Sequence, residues 1–201
     1  EDGFHYVHRS PAGVCALITP WNLPLYLLTW KLAPALAMGN TVVVKPDPQD
    51  PLAVAMLVEI MDEAGFPPGV VNLITSSSPA PAEALVASPD VDMVSFTGST
   101  GVGVRITEVG AATMTRLLLE LGGKGASLIF DDADLDAAIA GTGSTWAFHS
   151  GQICTAPTRV LVQRGVYDEV VERLAKYAGA LKVGDPLERD TVVGPLITET
   201  H

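Results

Sequence analysis

The sequence predicts an α/β protein built on a doubly wound parallel sheet, and three observations carry that prediction. As far as residue 121, short β-branched runs alternate with helical stretches. Each run is nearly continuous in apolar residues, as strands covered on both faces are. Glycine, proline and hydroxyl residues cluster where the runs end, the edge at which such a sheet receives its ligands.

The first run is "GVCALI" (13–18), and the next is "TVVVK" (41–45). Between them, Leu25 to Gly39 is apolar and stops at Gly-Asn, as a buried helix does, so the three pieces form one βαβ unit. A second helix is expected from Pro51 to Ala64, opened by Asp50 as N-cap and Pro51 in its first turn, and closed by Gly65. Strand "VVNLI" (70–74), a short helix at 82–87, strand "DMVSF" (92–96), a helix from Thr100 to Ala111 and strand "RLLLEL" (116–121) follow. After "GGKG" a further strand (126–130) and the long segment 133–150 begin a second unit. That unit continues through Cys154 to strand "RVLVQ" (159–163) and an amphipathic helix over 167–181. The domain boundary falls near Lys124, giving domains 1–123 and 124–201. "SSSPAP" (76–81) reads as a loop.

The chain has 201 residues, 48% of them hydrophobic, enough for one large domain or parts of two. Twelve basic residues, no basic run and a net charge of −11 argue against nucleic acid and anionic membrane as partners. Two cysteines far apart, Cys15 and Cys154, make neither a disulfide framework nor a metal pair, so no metal is expected and a reducing cytoplasm is the default. The apolar region from Val14 to Met38 is interrupted by Pro20, Asn22, Pro24, Lys31 and Pro34, which leaves no membrane span. A chain that starts at Glu1 and stops at "LITETH" reads as a piece of something longer.

The strand ends hold the chemistry-bearing residues: Asn22 in "TPWN", Lys45, "TGST" and Glu120 in "ELGGK". "FTGSTGVG" (96–103) joins a strand to a helix whose free N–H groups and dipole favour a phosphate, although a plain turn capped by Ser99 or Thr100 explains the glycines equally well. Trp21 and Trp30 read as core aromatics, Cys15 as core and His149 as structural. On its own Cys154 in "GQICTAPTR" reads as packing, the usual fate of a free cysteine.

"TPWNLPL", "GNTVVVKP", "FTGSTGVG", "ELGGK", "GQICTA" and "GPLI" (194–197) stand in the order, and close to the separations, of the aldehyde dehydrogenase superfamily, which the whole chain resembles. The resemblance implies a Rossmann-like cofactor domain, lacking its first part, and the first half of a catalytic domain. It implies NAD(P)-dependent oxidation of an aldehyde to a carboxylate, with Cys154 as nucleophile, Asn22 and the Cys154 N–H as oxyanion donors, and Glu120 activating the hydrolytic water. Burial would suit Glu120 to that role by raising its pKa. For NAD or NADP it implies Lys45 at the adenosine ribose and Ser99 with Gly98, Thr100 and Gly103 at the pyrophosphate. Trp21, Leu121 and Gly122 fall beside the nicotinamide, and Ile18 and Thr19 line the same edge. The whole protein would be a homodimer or homotetramer.

Two positions depart from the family pattern. The usual KPxE reads "KPDP", so Pro48 replaces a glutamate that accepts from ribose hydroxyls, and Ser76 and Ser78 stand at glycine positions of the loop after the third strand. Both lie at the adenosine end and leave NAD against NADP open. Two other readings stand: a CoA-acylating relative, against which Glu120 speaks, and an incomplete chain that binds nucleotide or assembles without turning over.

Overall fold

In the computed structural model, which describes residues 3–201, the most apolar strand becomes the centre of a sheet. β1 (Val14–Ile18) pairs in parallel with β2 (Thr41–Lys45) on one side and β4 (Met93–Gly98) on the other. With β3 (Val71–Leu73) and β5 (Arg116–Leu121) at the edges, the order is β3-β2-β1-β4-β5, parallel throughout. The two-residue period of a strand sends alternate side chains to opposite faces, so β1 needs cover on both. Cys15 and Leu17 join Val42 and Val44 against α1 (Pro24–Ala37) and α2 (Leu52–Glu63), packing on Leu28, Leu32, Val54 and Met61. On the other face Ala16 and Ile18 join Val94 and Phe96 against Val86 of α3 (Ala80–Ala87) and Ile106 of α4 (Thr100–Gly110). The sheet is doubly wound, and each fully buried valine or leucine contributes roughly 1.5–3 kcal/mol of hydrophobic stabilisation.

At the amino edge the backbone is closed off by side chains. Asn40 Oδ1 accepts from the N–H groups of Ala12 (2.6 Å) and Gly13 (2.9 Å), while its Nδ2 donates to Ala35 O. Asp92 accepts from Val14 N–H at 2.8 Å and lies where a Cβ at Gly13, with φ +123°, would stand.

A second compact unit, Gly122–His201, follows the first, which ends at Leu121. Its strands β6 (Ala126–Ile129) and β7 (Arg159–Val162) form a parallel pair. Helices α5 (Leu135–Ala147) and α6 (Tyr167–Gly179) share a core of Ile129, Ile139, Val170 and Leu174. Asp134 caps α5 by accepting from Ala137 N–H.

Three expectations need correction. Asp50 is not the N-cap of α2: Pro51 holds that place, without a side-chain hydrogen bond. Trp30 is not core but 63% exposed, its ring 4.6 Å from that of Tyr26, because Leu27, Leu28, Lys31 and Leu32 take the buried stripe of α1. β5 is covered on one face only: Leu117, Leu119 and Leu121 pack against the core, while Arg116, Leu118 and Glu120 are exposed on the other face. Within the segment 133–150, α5 runs only as far as Ala147, and the backbone turns left-handed at His149 and Ser150.

Candidate functional site

The strand order reverses direction between β1 and β4, and ligands of open parallel sheets bind beyond the carboxyl ends of the strands at that point. Here two buried hydroxyls, Thr19 Oγ1 just past β1 and Thr97 Oγ1 on β4, have no hydrogen-bond partner. Buried polar atoms are ordinarily satisfied, so two orphans flanking the switch point fit a polar ligand. Lys45 closes β2 and is 6% exposed, and its carbonyl accepts from Thr19 N–H at 3.2 Å, which ties these strand ends together.

Ser99 is the N-cap of α4, its Oγ accepting from Val102 N–H, and the remaining N–H groups at the start of the helix lack an intrahelical acceptor, an arrangement that suits an anion. Gly103 lies against β5: a Cβ there would come within 2.6 Å of Leu121 Cδ2. A Cβ at Gly98 would strike the Phe96 ring. These glycines therefore let the start of α4 approach the sheet.

Parallel pairing of β4 with β5 sets Thr97 opposite Glu120 and Gly98 opposite Leu121. Glu120 is exposed on the open face of β5, which corrects the expectation of burial. Trp21 and Asn22 lie half-buried in the turn between β1 and α1. The sheet thus gathers Ile18, Thr19, Lys45, Gly98, Ser99, Thr100, Gly103, Glu120 and Leu121 along one edge.

Three features of this unit escaped sequence reading. Thr97 lay inside a quoted motif but carried no separate signal. Lys31 entered only as an interruption of an apolar run, yet it is 8% exposed and donates to Ser95 Oγ at 3.0 Å. Burial pushes its amine below the ordinary lysine range, opposed by the negative charge of Glu120. The third is an apolar cavity of about 180 Å³ between α3 and α4, walled by Ile18, Val86, Phe96, Val102 and Ile106. The Arg105–Glu83 ion pair, at 2.9 Å, lies at the same cavity.

In the second unit Cys154 is exposed on a turn, whereas Cys15 is buried and its thiol pushed up by desolvation and by Asp92. Gly122 is exposed at the start of this unit, and a Cβ at Gly123 would lie 4.0 Å from the Cys154 carbonyl oxygen. The glycines after Glu120 therefore run beside the cysteine turn. Ahead of that turn His149 (φ 52°) and Ser150 (φ 55°) are left-handed, followed by Gly151 (φ 75°). Among the described residues no cluster of histidine, cysteine and carboxylates has the makings of a metal site, and no helix is long and apolar enough to cross a membrane.

Comparison with known proteins gives concordant results. Residues 1–201 match the aldehyde dehydrogenase family profile. Human 2-aminomuconic semialdehyde dehydrogenase is 45% identical over 197 residues, which are 98% of this chain and 40% of that protein. A cysteine-to-alanine mutant of aldehyde dehydrogenase C from Pseudomonas syringae, crystallised with NAD+ and octanal, superposes with a TM-score of 0.92 at 44% identity. That match covers 96% of this chain and 40% of the other. An NADP-dependent enzyme from Escherichia coli gives a TM-score of 0.93 at 42% identity, over 95% and 40%. The chain spans about two fifths of the length of the relatives it matches.

Proposed function

The chain belongs to the aldehyde dehydrogenase family, and from that premise we propose that it supplies much of the cofactor-binding domain (1–123) and part of the catalytic domain (124–201) of an enzyme that oxidises an aldehyde to a carboxylic acid. The observation that carries this reading is the contrast between its cysteines: one buried in a strand, the other exposed on a turn beside the glycines that follow Glu120.

A dinucleotide, NAD or NADP, suits the switch-point edge. Thr19 and Thr97 offer unsatisfied hydroxyls, the start of α4 offers backbone donors, Lys45 suits the adenosine ribose, and the α3–α4 cavity suits a flat base. Ile18, Trp21, Gly98, Thr100, Gly103, Leu121 and Gly122 complete the proposed cofactor surface. When bound, the dinucleotide supplies the hydride acceptor.

The chain's own residues account for the rest of the reaction. Cys154 Sγ, as thiolate, adds to the carbonyl carbon, and the carbonyl electron pair moves to oxygen. The Asn22 amide and the Cys154 N–H stabilise that oxyanion. Loss of hydride leaves an acyl thioester on Cys154. Glu120 takes a proton from a water whose oxygen attacks the acyl carbon; the C–S bond breaks, the carboxylate departs and the thiolate returns. Glu120 favours water over CoA as the acyl acceptor. A cytoplasmic homodimer or homotetramer is the form we expect of the enzyme.

Alkylation followed residue by residue tests the assignment. Cys154 should label at least tenfold faster than Cys15, an aldehyde should protect it, and Cys154→Ala should abolish aldehyde-dependent cofactor reduction. Equal labelling of the two thiols, or turnover by the variant within tenfold of the parent, a barrier change of about 1.4 kcal/mol, would sink it.

A further inference from the structure

Residues 149–152 reach Cys154 through a backbone that does not hold itself. His149 and Ser150 are consecutive non-glycine residues in the left-handed region, where Cβ crowds the carbonyl and which L-residues visit singly. Such a segment persists only where its surroundings over-determine it. Two side chains contribute to those surroundings. Ser150 Oγ donates to Gly194 O at 3.0 Å, and Gln152 Oε1 accepts from Ile197 N–H at 2.9 Å. Gln152 also turns back on the strained pair: its Nε2 and its backbone N–H both donate to His149 O at 3.1 Å. The partner segment 194–197 lies outside any strand or helix, so its backbone groups take side-chain partners instead. Past the cysteine, Trp146 Nε1 reaches across to Pro157 O at 3.2 Å and pins the end of α5 to the exit of the turn.

We infer that Ser150 and Gln152 are positioning residues that clasp the Cys154 turn to the 194–197 segment, so that the Cys154 thiol and N–H are presented in one orientation. The inference rests on the reading of Cys154 as nucleophile. Both groups must aim at the same carbonyl, and an N–H that follows three left-handed residues is aimed only while those residues keep their dihedrals. If the turn relaxed to the right-handed region, Cys154 would keep its exposure and lose its bearing. Loss of the clasp should therefore slow acylation of Cys154 and leave cofactor affinity alone.

Gln152→Met keeps length and removes every side-chain hydrogen bond, while Gln152→Glu keeps the acceptor for Ile197 N–H. In the protein as it occurs, amide exchange at Ile197 should rise at least tenfold in Gln152→Met, with α6 unchanged, and return towards the parent in Gln152→Glu. The burst of reduced cofactor should slow at least tenfold in Gln152→Met with the KM for the cofactor within twofold. Ser150→Gly, which tolerates the left-handed dihedrals, should slow it less. Faster exchange spread equally over α6, or an unaltered burst in Gln152→Met, would overturn the clasp. Cys154→Ala measured alongside separates the two ideas: an inactive Cys154→Ala with a parental Gln152→Met removes the clasp alone, whereas an active Cys154→Ala removes the nucleophile.

Discussion

At the carboxyl edge of the five-stranded sheet, Thr97 and Glu120 sit opposite each other because β4 and β5 pair over six successive residues, and Thr19 and Lys45 lie at the ends of a similar ladder. In the second unit, residues 149–154 belong to no ladder; two side chains anchor them to a segment some 45 residues away. The first arrangement distributes its support over many backbone bonds and tolerates a changed side chain. The second rests on a few, so one substitution moves it. The carboxyl edge of the sheet is thus tunable residue by residue, and the cysteine turn is not.

A sharp test of the tolerant region is Glu120→Gln. Backbone pairing holds this position, so the substitution should leave the fold and the burst of cofactor reduction intact while slowing steady-state turnover by about 100-fold, the scale of general-base catalysis. Rapid mixing reads both phases. A slowed burst would show that Glu120 also prepares the thiolate, and an unchanged steady state would contradict its role.

A smaller effect is expected at the adenosine end. Asp47 Oδ1 accepts from Gln49 N–H at 2.9 Å, which engages the neighbouring carboxylate in its own loop, and Pro48 is exposed. With Pro48 in place of the expected glutamate, kcat/KM with NADP should lie within about tenfold of that with NAD, since a partly exposed charge pair contributes roughly 1 kcal/mol. A preference for NAD above a thousandfold would assign the ribose to another acid.

The smallest effect is one of pH. The amine of Lys31 is held below its ordinary value, so between that lowered pKa and about 10.4 the unfolded chain carries more protons than the folded one, and stability rises with pH. Below the lowered pKa the desolvation cost is felt in full. Lys31→Met should therefore raise Tm at pH 7, and the gap should shrink towards pH 10. A gap independent of pH would mean that Lys31 folds without such a cost.

Legibility in the sequence follows the same division. The run "RLLLEL" gave both bounds of β5, and the alternation of strands and helices gave the doubly wound sheet, since periodicity is local. Trp30 is exposed against expectation because an apolar helix with several candidate faces does not declare which one is buried. Asp50 has the chemistry of a cap, but the proline after it occupies the cap position itself. Thr97 gained meaning only once it stood unsatisfied at the switch point. Nothing in "FHSG" announces two left-handed non-glycine residues, and nothing near Gln152 names Ile197, because bonds across more than 40 residues leave no local pattern.

The central place of β1 also orders the assembly of the chain. Val14 meets Thr41 across 41 − 14 = 27 residues, but Cys15 meets Met93 across 93 − 15 = 78. Loop entropy alone makes the second closure costlier by about 0.9 kcal/mol. As the chain emerges during synthesis, β1, α1 and β2 are complete by Lys45, whereas the other neighbour of β1 does not exist until residue 93. One flank of the central strand, with its apolar side chains on both faces, therefore waits open while the next half of the sheet is being made.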